Sequence, residues 1–461
     1  MIKPFIIKQL QNIIGHNNVT TNTRTLDIKS TDALAPNRAF GFFSELNKLP
    51  DVVVTPQRTQ DVSEVLKIAT ENKIPVIALG GGTGVMGGIV PSSGGIIIDM
   101  TSLTSMVELE LDSGLATVQS GMVIGSLINY LRPKGYHFAH DPYSRAIATI
   151  GGAIATNGVG YTASKYGNMG EQVISLEVVL SDGKIITTPK TPTYSTGPNI
   201  NNLFIGSEGT LGIITQATLK IHKFPEFTKL ISFKMPSFEI GINMITEILR
   251  YGMIPTLLDL TEELQEVTLF LRYEGKYELV VECINTILIA ATTFNSSILP
   301  EAIGATYWSE RHSSALAYKQ NKLNKPRLEK WDLTFSNLFE YLHISLPLGK
   351  ILQYKTEADI IISSYDLKIT EYCIWGKPQY FSMMVKPNNI HNKKSQENLH
   401  EGSKKLLELS CYLGGITEYC HGSGLKNKEF IRAELGEAYS ISMRLKKTLD
   451  PYNILNPGKF L

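Results

Sequence analysis

Six glycines fall within the ten residues Leu79-Gly80-Gly81-Gly82-Thr83-Gly84-Val85-Met86-Gly87-Gly88, directly after an apolar run that ends at Leu79. Glycine admits positive φ and lets successive backbone N–H groups converge on an anion, the arrangement that binds a diphosphate. A glycine-rich turn without a ligand is the plainer alternative for this stretch taken alone. Gly82-Thr83-Gly84-Val85-Met86-Gly87 has the spacing G-x-G-x-x-G, but Ser102 and not an acidic residue stands twenty positions beyond its first glycine, and there is no Walker A loop, since no G-K-[ST] follows. Nicotinamide dinucleotides and nucleoside triphosphates are therefore disfavoured. A second stretch, from Asp141 through Pro142 to Gly160, sets the hydroxyls of Ser144, Thr149 and Thr156 beside the pair Gly151-Gly152, polar groups that could follow a polyol and a ring system. A third, from Gly206 to Thr215, runs from a turn into a β-branched strand. Each loop alone is a weak signal; the three in this order are a strong one.

The elements that must carry these loops read as an α+β protein. The stretch from Pro50 to Gly82 is strand, helix, strand: Val52 to Val54, a helix over about Thr59 to Glu71, then Pro75 to Leu79. Short strands follow at Gly95 to Met100, Leu115 to Ser120, Val173 to Leu180 and Lys184 to Thr188, the last two joined by an Asp182-Gly183 turn. Beyond Pro225 the segments lengthen, with strands at Thr228 to Lys234 and Glu266 to Tyr273 and helices near Ser237 to Tyr251 and Tyr277 to Thr292. A helix at Gln396 to Leu413 and a short one before the proline-containing tail complete the pattern, and no internal repeat is apparent.

With 461 residues the chain exceeds one ordinary core, so two or three domains are expected. Its 44 basic and 43 acidic residues set up no field for nucleic acid or anionic lipid, and the expected partner is a small-molecule substrate. The first fifteen residues read as an amphipathic helix and not a signal peptide, no apolar run is long enough to span a membrane, and the four cysteines show no metal-type pairing. A cytoplasmic protein is expected, with peripheral association at a membrane and a homodimer left open.

The runs PDVVVTPQRTQDVSEVL, GGGTG, DPYSRAIATIGGAIATNGVGYTASKYGN, LFIGSEGTLGIITQATLKI, HGSGLKNK and DPYNILNPGKF together resemble the FAD-linked oxidase family, from about residue 50 to 461. That family includes D-lactate dehydrogenases, the flavin subunit of glycolate oxidase, D-2-hydroxyglutarate dehydrogenases and alkyldihydroxyacetonephosphate synthases. The resemblance implies a helical segment over 1–45, a two-part PCMH-type FAD-binding domain over 46–224, a ferredoxin-like substrate domain over 225–410, and a C-terminal segment over 411–461 that returns to the FAD domain. It further implies that Leu79, Gly80, Gly81, Gly82, Thr83, Gly84 and Gly88 wrap the FAD diphosphate. Pro142, Tyr143, Ser144, Thr149, Gly151, Gly152, Thr156, Asn157 and Gly158 would line the ribityl chain and ring, and Glu208, Gly209, Gly212, Ile213 and Ile214 the adenosine end. Relatives that attach flavin covalently have a histidine just after the glycine loop; here Thr83-Gly84-Val85 stands instead, so FAD is expected to bind non-covalently.

By the same resemblance, Arg311 in Trp308-Ser309-Glu310-Arg311 is the anchor for a substrate carboxylate or phosphate, for which a guanidinium fork is suited. The metal-binding segments of the 2-hydroxy acid dehydrogenases are not intact: Cys373 to Phe381 holds no histidine, and Tyr419-Cys420-His421-Gly422-Ser423-Gly424 keeps only His421. No metal is expected. His421 is the candidate general base or oxygen-polarising group, because a hydride leaves a carbinol carbon readily only when its hydroxyl proton is taken. The resulting expectation is oxidation of a small 2-hydroxy acid by FAD, with an electron acceptor of unknown identity. The alternatives are flavin-mediated exchange of the alkyldihydroxyacetonephosphate synthase type and a flavin-binding protein with decayed chemistry. The Lys- and Asn-rich connection between Arg311 and His343 is expected to be a surface excursion or mobile lid.

Overall fold

The computed structural model describes residues 2–38, 46–331, 337–388 and 392–460. Three principal sheets carry the chain. The first joins β1 (Val19–Thr20), β2 (Val52–Val54), β3 (Val76–Leu79) and β4 (Ile96–Asp99) in the order β1-β2-β4-β3. β2, β4 and β3 run parallel, and nearly all their residues are buried, the pattern of strands covered on both faces. The helix Thr59–Glu71 covers this sheet with Val62, Val65, Leu66 and Ala69, which recur at helical spacing. β3 ends at Leu79, so the glycine loop leaves from the C-terminal end of a parallel strand, where open α/β sheets place their ligands.

The second sheet is antiparallel: β5 (Met106–Glu110), β6 (Leu115–Gln119), β8 (Val173–Val179), β9 (Ile185–Thr187) and β10 (Ile213–Lys220) in the order β5-β6-β10-β8-β9. β10 is central and begins one residue after Gly212, so the third glycine loop is fastened to the middle of the sheet. A small ribbon pairs β7 (Tyr136–His137) with β11 (His222–Lys223).

The third sheet has seven antiparallel strands: β12 (Phe227–Met235), β13 (Leu257–Glu263), β14 (Glu266–Gly275), β15 (Ser297–Ile298), β16 (Glu340–Ser345), β17 (Leu367–Trp375) and β18 (Tyr380–Pro387). Their order, β15-β12-β14-β13-β17-β18-β16, contains a repeat that the sequence does not advertise. β12, the helix Phe238–Arg250, β13, β14, the helix Tyr277–Thr293 and β15 make a ferredoxin-like unit. β16, the helix Ile351–Ser363, β17, β18 and the helix Lys393–Tyr412 repeat its first five elements, and the units join edge to edge where β13 pairs β17. The helices cover one face of this sheet over a core that includes Phe233, Leu269, Leu271, Ile344 and Phe381, and the other face turns toward the glycine loops.

The chain then returns to the first sheet. The Val76 N–H donates to Ile454 O at 2.7 Å and Asn456 N–H donates to Val76 O at 2.8 Å, adding a bridge outside β3.

The connection after Arg311 lies at the surface, with most residues from 313 to 330 exposed, but it is fastened and not loose. It forms the helices Ser313–Asn321 and Arg327–Lys330, and Arg327 is buried with its Nε 2.6 Å from Asp27 Oδ1 and its Nη1 donating to Leu46 O. Asp27 and the backbone carbonyls of residues 46 and 48 supply Arg327 with partners from distant sequence. Residues 332–336 of that connection, and 39–45 of the expected N-terminal segment, lie outside the described residues. Among the described residues no helix is long and apolar enough to cross a membrane.

Candidate active site

A cavity of about 1070 Å³ lies between the three glycine loops and the open face of the seven-stranded sheet. Gly80 to Gly84 and Gly88 line it from the first loop; Pro142, Tyr143, Ser144, Thr149, Gly151, Gly152, Thr156 and Gly158 from the second; Glu208, Gly209, Gly212, Ile213 and Ile214 from the third. Leu79 and Asn157 are not on its wall. Leu79 packs with Val53, Ile77 and Ile97, and the Asn157 Oδ1 accepts the Gly170 N–H at 2.9 Å.

The loops approach too closely for side chains. A Cβ on Gly81 would stand 2.3 Å from Ile147 O, so the first two loops meet backbone to backbone there, and one on Gly80 would stand 2.4 Å from the Thr149 side-chain Oγ1. Asn456 joins the first and third loops, its Nδ2 donating to Gly88 O at 3.0 Å and to Glu208 O at 2.8 Å. Glu208, at φ 51°, accepts the Ser423 N–H at 2.8 Å and so ties the third loop to the segment that bears His421. Burial raises the Glu208 carboxyl, against the lowering effect of these hydrogen bonds.

Whether these walls suit a flavin dinucleotide can be judged from their polar atoms. Ser120 Oγ and both ring nitrogens of His140, which is 1% exposed, line the cavity with no hydrogen-bond partner among the described residues. Unpaired buried polar atoms are rare unless something binds them. With a cradle that admits only glycine, they fit the diphosphate and polar ring edges of FAD.

Asp32 lies behind the first loop, its carboxylate accepting the Leu34 N–H at 3.1 Å and the Gly87 N–H at 2.8 Å. Burial raises this carboxyl to about 6, although those N–H groups and Lys330 oppose the rise. A carboxyl raised on folding favours the protonated folded state. Its ionisation cost is thus absent below the ordinary value of 3.8, grows as pH rises, and is complete above about 6. Asp32→Asn is expected to gain about 2 kcal/mol relative to the parent chain between pH 4.5 and pH 7. Urea midpoints at the two pH values would measure this, and a pH-independent difference would refute it.

The sheet face opposite the loops is polar in rows. Thr268, Thr261, Cys373, Ser382 and His343 stand side by side across β14, β13, β17, β18 and β16, and all five line the cavity. Strand alternation puts Tyr341 and His343 on this same face of β16. His343 Nδ1 lies 2.9 Å from Ser382 Oγ, which is 2.8 Å from the Tyr419 hydroxyl. The Tyr341 hydroxyl donates to Glu371.

His421 meets this row from the loop that follows Tyr419, its ring centroid 4.8 Å from that of His343. The two imidazoles are pushed apart in acidity. Burial drives His343 well below its ordinary value, and the charges of His421, Arg38 and Lys426 add to the effect, so it is neutral at neutral pH. Burial opposes charge on His421 too, but the Cys420 sulfur and the Glu418 carboxylate outweigh it and raise the ring to about 10. Its Nδ1 is 3.3 Å from Glu418 Oε1. The raised ring favours the imidazolium, a form suited to polarising an oxygen. Arg38 also lines the cavity, its Nη2 3.0 Å from Glu340 Oε1.

Arg311 is not brought to the cavity. Its Nε is 2.9 Å from Asp141 Oδ2 and its guanidinium lies 3.7 Å over the Trp308 ring, lining a separate cleft. Among the described residues no group of three or more His, Cys, Asp or Glu side chains is placed to hold a metal. The sequence singled out none of His343, Arg38, Asp32 or Asn456 as a site residue. For His343 a signal existed, the alternation of Tyr341 and His343 in EYLHIS.

The comparisons agree with this geometry. The family described as "FAD binding domain" matches residues 50–189, and "FAD linked oxidases, C-terminal domain" matches 344–460. The chain is 30% identical to the D-lactate dehydrogenase of Archaeoglobus fulgidus, over 88% of this chain and 90% of that protein. It is 28% identical to the glycolate oxidase subunit GlcD of Bacillus subtilis, over 90% of each. Among solved structures, an alkyldihydroxyacetonephosphate synthase superposes with a TM-score of 0.78 at 18% identity, covering 99% of this chain and 86% of that one. A p-cresol methylhydroxylase superposes with 0.74 at 16% identity, covering 99% and 96%. The glycine cradle, the sheet that faces it and these matches together establish that the chain belongs to the FAD-linked oxidase family and is an FAD-dependent oxidoreductase.

Proposed function

We propose that this protein oxidises the CH–OH carbon of a small 2-hydroxy acid. The observation that carries the reading is the neutral His343 beside the cationic His421, 4.8 Å apart on the cavity wall. Two like groups whose surroundings drive them to opposite protonation states mark a division between base and acid. FAD, when bound, supplies the two-electron acceptor for the hydride that leaves the carbinol carbon.

The chain's own groups do the rest. Residues 80–84 and 88 hold the diphosphate, 142–158 follow the ribityl chain and ring, and 208–214 receive the adenosine end. His343, steadied at Nδ1 by Ser382 and Tyr419, takes the hydroxyl proton at Nε2. The His421 imidazolium and the Arg38 guanidinium hold the carboxylate and polarise the substrate oxygen. Arg311 becomes a positioning residue that orients Asp141 and the loop behind it. Residues 46–224 form the FAD-binding part, 225–410 the cap, and 411–461 a segment that returns to close the loops. The names of the two sequence relatives, both concerned with hydroxy acids, support the same substrate class.

Anaerobic mixing of the FAD-loaded protein with D-lactate, glycolate or D-2-hydroxyglutarate is expected to bleach the flavin absorbance with at least one of them. No bleaching by any 2-hydroxy acid would remove this reading, and headgroup exchange on an acyl-dihydroxyacetonephosphate would replace it.

A further inference from the structure

A second cleft, of about 740 Å³, lies at the seam between the N-terminal half and the seven-stranded sheet, and nothing in the proposed chemistry uses it. A thin wall divides it from the flavin cavity. Asp141 faces the cleft while Pro142 and Tyr143 face the cavity; Thr162 and Trp308 face the cleft while their neighbours Tyr161 and Tyr307 face the cavity.

The cleft gathers positive charge in a chain that is otherwise balanced. Arg132, Arg145, Arg272, Arg311 and Lys319 line it against only two carboxylates, Asp141 and Glu274. Both carboxylates are already engaged. Asp141 accepts from Arg145 Nη1 at 2.9 Å and Arg311 Nε at 2.9 Å, with His312 Nε2 at 3.1 Å, and Glu274 is held by Arg272 and the Tyr166 hydroxyl. A guanidinium carries five N–H donors, so these contacts leave donors on each arginine unspent. The side chains of Arg272 and Arg311 are only 15% and 10% exposed, and Phe224, Trp308 and Leu316 form apolar wall around them, where a charge contact gains strength. Trp308 holds both forks in place, with the Arg311 guanidinium 3.7 Å and that of Arg272 4.8 Å from its ring centroid. His137 adds a buried Nε2 with no hydrogen-bond partner among the described residues.

We propose that this cleft is a second ligand site, for a small anion of the phosphate or carboxylate class, and that its occupancy is sensed in the flavin cavity. The route is short. An anion drawn to Arg145 and Arg311 competes with Asp141 for them, and Asp141 precedes Pro142 and Tyr143 on the cavity wall. His312 ties the same stretch a second time, its Nδ1 3.2 Å from Tyr143 O. The site is thus that of an effector or co-substrate anion which reaches the enzyme without entering the flavin cavity.

The test uses FAD-loaded protein titrated at constant ionic strength with inorganic pyrophosphate and, separately, with citrate, following tryptophan fluorescence and the flavin absorbance band. A saturable response to at least one probe is expected, with half-saturation near or below about 1 mM. The probe that saturates identifies the phosphate or the carboxylate class. Arg272→Gln with Lys319→Gln is expected to weaken it at least tenfold while flavin content is kept, since a hydrogen bond to a charged group is worth more than that factor. Should the double variant fold poorly, Lys319→Glu at the exposed rim alone must weaken binding. Trp308→Phe is expected to abolish the fluorescence change and keep the flavin shift. Responses no larger than those to potassium chloride, or unchanged half-saturation in the variants, would overturn the site; a fluorescence response with no flavin shift would overturn its coupling to the cavity.

Discussion

His343→Ala is expected to slow flavin reduction by the 2-hydroxy acid substrate by about 10²–10⁴-fold, the range over which a positioned base contributes, while the protein still purifies with FAD. The expectation follows from burial. An imidazole that is enclosed, hydrogen-bonded to Ser382 and faced by the charges of His421, Arg38 and Lys426 stays neutral well below the ordinary histidine range. The parent enzyme should therefore keep its rate from neutral into mildly acidic pH, where an exposed histidine base would already be protonated. At the alkaline end the rate should fall as pH passes about 10, when His421 loses its charge and its hold on the substrate carboxylate. Stopped-flow flavin reduction from pH 5 to pH 10.5 reads both limbs. A variant rate within threefold of the parent's would assign the proton to another group.

Gly81→Ala is expected to yield a folded protein that purifies colourless. The added Cβ would meet Ile147 O at 2.3 Å and Ile147 C at 3.0 Å, and neither atom belongs to a side chain that can swing aside. The first loop or the second must then move by more than an ångström, in the cradle that converges on the diphosphate. Overpacking of this kind costs about 1–3 kcal/mol, and if it falls on the holo form alone, FAD binding weakens by up to about a hundredfold. Gly135→Ala is the control: its φ of +78° carries strain, but nothing lies within 4 Å and it does not line the cavity. Flavin content after dialysis against FAD, with near-ultraviolet circular dichroism to verify folding, separates the two. Retention of full flavin by Gly81→Ala would show that the loop tolerates the displacement.

What the sequence made legible followed from local physics. Glycine-rich loops after apolar runs, helical spacing at Thr59–Glu71 and β-branched strands placed most elements within a residue or two of where they lie. The repeat in the seven-stranded sheet stayed hidden because it is conserved in topology and in apolar spacing, not in identities, and because the β13–β17 seam is formed by segments more than a hundred residues apart. The proposed base was hidden for a related reason. His343 is kept neutral by burial first and by the charges of His421, Arg38 and Lys426 second, and no local pattern announces that these scattered groups meet. Arg311 shows the converse hazard. Its local context suggested an anchor in the substrate cavity, but Asp141, 170 residues away, draws the side chain to the neighbouring cleft.

Asn456 spans Gly88 and Glu208 with one carboxamide, so the pouch around the dinucleotide has a drawstring tied late in the chain. During translation, at about 5–20 residues per second, the first glycine loop would emerge well before its final fastener. Flavin captured by a nascent chain would therefore be held only provisionally, and the yellow form would mature after residue 456 has left the ribosome.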